Sequence, residues 1–110
     1  MDSVEDLREH VRDFARRRDW EPFHTPKNLA MAIAGEAGEL AAEFQWLTPE
    51  ESRTVMADPA SGAAVRSEMA DVFLYLVRLA DVLDVDLLAA AREKSSINEK
   101  RFPPSNHDRG

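Results

Sequence analysis

The sequence contains no cysteine, which rules out a disulfide framework and any thiolate-ligated metal. Glycine is scarce at four residues and proline at six, so few points interrupt the chain. Basic residues are outnumbered: 14 Lys and Arg against 21 Asp and Glu give a formal net charge of −7. Such a balance disfavours non-specific binding to nucleic acid or to an anionic membrane surface. No apolar run approaches the roughly 20 residues that a membrane-spanning helix needs. The opening MDSVEDLREH also lacks the basic and apolar regions of a signal peptide. The expectation is a soluble, cytoplasmic protein with no nucleic-acid and no membrane partner. Its 110 residues suit one domain over 1–104, followed by a flexible tail over 105–110.

What the sequence does have is helical periodicity. Val4, Leu7, Val11 and Phe14 form an apolar stripe behind Ser3, a residue suited to capping. This first helix is predicted to fade near Arg18, with its charged face solvated. WEPFHTPKN, 20–28, reads as an aromatic-rich loop ending in Thr25-Pro26, a cap followed by proline in the first turn. A second helix is predicted from there to about Trp46. Thr48-Pro-Glu-Glu51 adds a capping box and predicts a short helix over 49–57. ADPASG, 57–62, reads as a loop, and a fourth helix is expected over about 63–83. Asp84 or Asp86 then caps a fifth, ending near Arg101 before Phe102-Pro103-Pro104.

No strand-type alternation is present, so the fold class is all-α, a bundle of four to five helices per chain. The two longest helices are apolar around too much of their circumference for one layer of contacts. A chain this short has few helices of its own to cover them. A bundle assembled with helices of neighbouring subunits is therefore expected.

Against that apolar background the carboxylates are conspicuous. Glu36 and Glu39 lie three apart, so both project from one helical face about 5–6 Å apart at Cβ. Glu68 and Asp71 repeat the spacing on the other long helix. An antiparallel pairing of the two helices lets all four converge, with Glu43 at the edge. A lone ExxE more often marks a solvated face, but two such pairs embedded in apolar helix favour the opposite reading. Gathered carboxylates repel, and a divalent cation relieves the repulsion better than protonation does. All-oxygen ligation suits Mg²⁺, with Mn²⁺ as a substitute; without Cys or a helical Glu-x-x-His, zinc and di-iron centres are disfavoured.

Lys94, Asn98 and Arg101 share one face near the end of the fifth helix, with Lys100 beside them and Lys27 and Asn28 at the start of the second. They suit phosphate oxygens, although cations there also complement the helix dipole. Trp20, Phe23, His24 and Trp46 flank the acidic helix, as packing residues or as rings on which a nucleobase stacks.

These residues resemble a known family. E36-x-x-E39 followed by E68-x-x-D71 is similar to the metal-binding signature of the MazG-like all-α nucleoside triphosphate pyrophosphohydrolases. RDWEPFHTPKNLAMAIAGEAGELAAEFQW, EMADVFLYLVRLAD and KSSINEKRFP resemble its dCTP pyrophosphatase branch, over about residues 4–104. The resemblance implies Mg²⁺ on Glu36, Glu39, Glu68 and Asp71, with Glu36 or Glu39 acting on the attacking water. It implies Trp20, His24 and Trp46 at the base, Tyr75 near the sugar, and Lys94, Asn98 and Arg101 at phosphates or sugar. Asn28 is a weaker member of the same set. A homotetramer, a dimer of dimers whose sites draw on more than one subunit, is implied as well. The implied reaction converts a dNTP, dCTP or a modified dCTP, to dNMP and pyrophosphate. The same chemistry on dUTP or a damaged nucleotide is one alternative; a non-catalytic oligomeric nucleotide- or metal-binding module is another.

Overall fold

Among the described residues five helices occur, each beginning at a Ser, Thr or Asp whose side chain accepts a backbone N–H from the first turn. The structure, a computed structural model, describes residues 1–105. Helix α1, Val4–Arg17, is capped by Ser3; α2, Pro26–Ala42, by Thr25; and α3, Pro49–Ser52, by Thr48. Helix α4, Pro59–Val82, is capped by Asp58, and α5, Leu87–Arg101, by Asp86. Caps of this kind each contribute about 1 kcal/mol. In α2, α3 and α4 a proline follows the cap, where its missing N–H costs no helical bond. Short 3₁₀ turns cover Glu21–Phe23 and Val55–Ala57. No strand occurs among the described residues, and the all-α expectation holds.

Three boundaries differ from the sequence reading. Helix α2 ends at Ala42, four residues before Trp46, because Glu43 and Phe44 bond to carbonyls three residues back and tighten the chain. That turn brings Thr48 into the extended conformation required ahead of Pro49. The predicted 49–57 helix is one α-turn and a 3₁₀ turn separated by Arg53 and Thr54. Helix α4 starts at Pro59, inside the stretch read as a loop, since Asp58 Oδ2 accepts from Ser61 N at 2.9 Å. Gly62 is no breaker there: a Cβ would lie 3.2 Å from the Met56 carbonyl oxygen, so glycine admits the close approach of the Val55–Ala57 turn. Of the predicted tail, residues 106–110 lie outside the described residues.

Helices α1 and α4 end in the same way. Trp20 N bonds to Ala15 O and Asp19 N to Arg16 O; Val85 N bonds to Ala80 O and Asp84 N to Asp81 O. These are Schellman motifs, and their left-handed residue is an aspartate each time, Asp19 at φ 57° and Asp84 at φ 55°.

The most extensive packing is α2 on α4, followed by α1 on α4. Leu29 and Val77 are the largest fully buried side chains, and Ala15, Val65 and Ala80 are buried as well. That core is small. The radius of gyration is 17.4 Å, where a compact chain of this length has roughly 13 Å. Helix α5 has no buried residue, and Met31, Met69, Phe73, Leu88 and Ile97 remain exposed. The charged face of α1 is less solvated than predicted, because Arg8 and Arg12 both reach Asp81 on α4.

Candidate metal centre and adjoining cavity

The α2–α4 packing brings carboxylates from both helices to one place. Glu36, Glu39 and Glu68 each offer an oxygen lying within 4.8 Å of the other two. Oε2 of Glu36 and Oε2 of Glu68 are shut off from solvent and have no hydrogen-bond partner. Desolvation pushes both pKa values above the ordinary carboxylate range, and the neighbouring carboxylates, Asp71 among them, add to the rise. Orphaned carboxylate oxygens in a crowded acidic cluster suit a divalent cation with oxygen ligands. Three of the four expected carboxylates thus lie close enough together to share one cation. Asp71 belongs to their electrostatic field but stands outside the trio, on the wall of the neighbouring cavity.

That cavity has a volume of about 410 Å³. Phe14, Trp20, His24, Asp71, Tyr75 and Arg78 are among its lining residues. The apolar stripe of α1 supplies one wall, since Leu7 and Val11 line it too. Phe14 and Trp20 meet edge to face at 5.6 Å, and Trp20 meets His24 at 6.1 Å. The Schellman turn after α1 carries Trp20, and the 3₁₀ turn that follows carries the chain on to His24. Trp20, His24 and Tyr75, three of the residues singled out in the sequence, therefore share one space with Asp71.

Other predicted residues are elsewhere. Asn28 donates from Nδ2 to the Phe23 carbonyl at 3.0 Å, so its amide is engaged in shaping the loop. Trp46 is 87% exposed, beyond the end of α2. Lys94, Asn98 and Arg101 lie on α5, which packs extensively on no other helix among the described residues. None of these five residues lines the cavity.

Sequence reasoning missed Arg78. It is only 7% exposed in the most apolar run of α4, and it contacts both His24 and Asp81. Its signal was available: a lone arginine inside VFLYLVRLAD, with an aspartate three residues on.

No family model matches the chain. The chain is 46% identical to human dCTP pyrophosphatase 1 over 101 residues, covering 92% of this chain and 59% of that protein. Against the bovine dCTP pyrophosphatase 1 the identity is 44%, over 92% of this chain and 60% of that protein. The chain thus spans about three-fifths of the length of the curated relatives it matches. The crystal structure of a pyrophosphatase from Archaeoglobus fulgidus superposes with a TM-score of 0.84 at 37% identity, covering 91% of this chain and 92% of that one. By fold and sequence the chain belongs to the all-α pyrophosphatase family that these proteins represent.

Proposed function

We propose that this chain is a divalent-cation-dependent nucleoside triphosphate pyrophosphohydrolase that converts a dNTP, dCTP or a base-modified dCTP, to dNMP and pyrophosphate. The observation that carries the proposal is the trio of Glu36, Glu39 and Glu68 beside an aromatic cavity on whose wall Asp71 stands. Similarity to proteins named dCTP pyrophosphatase supports the substrate.

Glu36 and Glu68 would hold the cation with their orphaned oxygens, and Asp71 would extend the set toward the substrate. Mg²⁺ fits these hard oxygen donors, with Mn²⁺ as substitute. When bound, the cation neutralises charge on the triphosphate. Glu39, the exposed member of the trio, orients or deprotonates the water that attacks the α-phosphorus. Trp20 and His24 receive the base and Tyr75 the sugar. Lys94, Asn98 and Arg101 of a neighbouring subunit bind phosphate oxygens, and Trp46 of a neighbour covers the base. An α5 without extensive packing among the described residues, and the exposed Trp46, support composite sites in an oligomer, read as a homotetramer, a dimer of dimers. The nucleotide pool it would act on puts its work in the cytoplasm.

Incubation with each dNTP and Mg²⁺, followed by product analysis, tests the reading. Pyrophosphate with dCMP is expected, and Glu39→Gln is expected to abolish it with helicity intact. Preference for dUTP would correct the base. Orthophosphate release, or saturable binding without turnover, would refute the proposal.

A further inference from the structure

Arg78 interrupts the apolar run of α4, and its guanidinium is held from two sides. Nη1 donates to Asp81 Oδ2 at 2.8 Å, and Nε donates to His24 Nδ1 at 3.0 Å. Asp81, whose side chain is 5% exposed, also accepts from Arg8 Nε at 2.7 Å and Arg12 Nε at 3.1 Å. Arg8 and Arg12 already give Asp81 two cations from α1. Balancing Asp81 therefore leaves the Arg78–His24 bond unexplained.

The chemistry of that bond is restrictive. A guanidinium has only donors and stays charged, so the His24 nitrogen facing it must carry a lone pair. The ring is then neutral, with its proton on Nε2. Partial burial and the charge of Arg78 act in the same direction, holding the His24 pKa below its ordinary value. Among the described residues Nε2 has no hydrogen-bond partner, while the ring lines the cavity with Trp20 and Tyr75.

We propose that Arg78 is a positioning residue that locks His24 in its Nε2–H tautomer, making it a fixed hydrogen-bond donor to an acceptor atom on the edge of the substrate's base. The proposal rests on the base-pocket reading of the cavity given above. A ring carbonyl or an unprotonated ring nitrogen satisfies such a donor; a base edge offering only N–H groups leaves two donors opposed. Arg78 lines the same cavity, but the role proposed for it needs no contact with the substrate. It acts through the imidazole.

The test uses the full chain in wild-type form, with Arg78→Met and Arg78→Lys, and His24→Gln to assign the resonance. Long-range ¹⁵N–¹H correlation spectra at neutral pH read the tautomer directly. The wild type is expected to show a pyridine-like Nδ1 and a pyrrole-like Nε2 for His24. Arg78→Met is expected to mix the tautomers, and Arg78→Lys, which still donates, to restore the wild-type pattern. In kinetics with dCTP, Arg78→Met is expected to raise KM about tenfold with kcat changed far less, the loss of roughly one hydrogen bond. Adding it to His24→Gln should then have little further effect. A wild-type His24 protonated on Nδ1, or an unchanged tautomer in Arg78→Met, overturns the clamp; so does full additivity in the double variant. The spectra need no turnover, so failure of the clamp is separable from failure of the pyrophosphohydrolase reading.

Discussion

Glu36 on α2 and Glu68 on α4 meet where the two helices pack, with one oxygen each hidden from solvent and unpartnered. An arrangement of this kind destabilises the metal-free chain. Burial and mutual repulsion raise both pKa values above the ordinary 4.5. For an acid whose folded-state pKa is raised, the penalty is present when it is ionised and is relieved as pH falls through the raised value.

Glu36→Gln or Glu68→Gln is therefore expected to raise the melting temperature of the chelator-treated protein by a few degrees at neutral pH. Adding Mg²⁺ should stabilise the wild type and barely affect either variant. Differential scanning fluorimetry with and without EDTA measures both effects. A variant less stable than wild type without metal would show that the cluster is not under repulsive strain.

Asp81 shows the opposite linkage. Hydrogen bonds from Arg12 and Arg8 hold its pKa down at about 2, against an ordinary 3.8. The shift is worth about 2 kcal/mol at neutral pH. That stability is present above the ordinary value and is lost as pH falls from 3.8 toward 2. Asp81→Ala leaves Arg78 buried without its carboxylate and is expected to cost about 3 kcal/mol. Urea denaturation of wild type and variant at neutral pH, with a wild-type series down to acid, checks the magnitude and the sign.

Asp19 occupies a left-handed position at the end of α1, where glycine has no steric penalty. The strain relieved is about 1–2 kcal/mol, offset by about 0.5–1 kcal/mol of added chain entropy. Asp19→Gly is thus expected to stabilise the chain by about 0.5 kcal/mol, or about 2–4 °C in melting temperature. Asp84 has the same geometry but also pairs with Arg8 at 3.1 Å, so Asp84→Gly should gain less.

Much of this was legible because it is local. Caps such as Ser3, Thr25 and Thr48 act within three residues, and the i, i+3 carboxylate pairs declare a shared face wherever they occur. Asp58-Pro59 is the same device as Thr25-Pro26, but Gly62 masked it; what glycine answers to there is the approach of Met56, which spacing does not reveal. Arg8 and Arg12 read as solvated because their partner is about seventy residues away, at Asp81. The Arg78–His24 bond spans a similar gap. Tertiary partners of charged residues are set by how helices pack, and periodicity constrains which faces meet but not which charges pair across them.

If sites are built from more than one subunit, two inactive variants can rescue each other. Glu39→Gln removes a carboxylate of α2, and Arg101→Ala removes a cation of α5. Co-expressed chains carrying one change each are expected to recover part of the activity, since some mixed oligomers contain an intact site. Activity no higher than that of either variant alone would indicate that α5 serves its own subunit's cluster.

The most direct test of the account is the affinity of the acidic cluster for a divalent cation, read by electron paramagnetic resonance titration with Mn²⁺ in the absence of nucleotide. Saturable binding by the wild type, weakened at least about tenfold in Glu36→Gln and in Glu68→Gln, is the predicted result. Equal Mn²⁺ binding in wild type and both variants would contradict it.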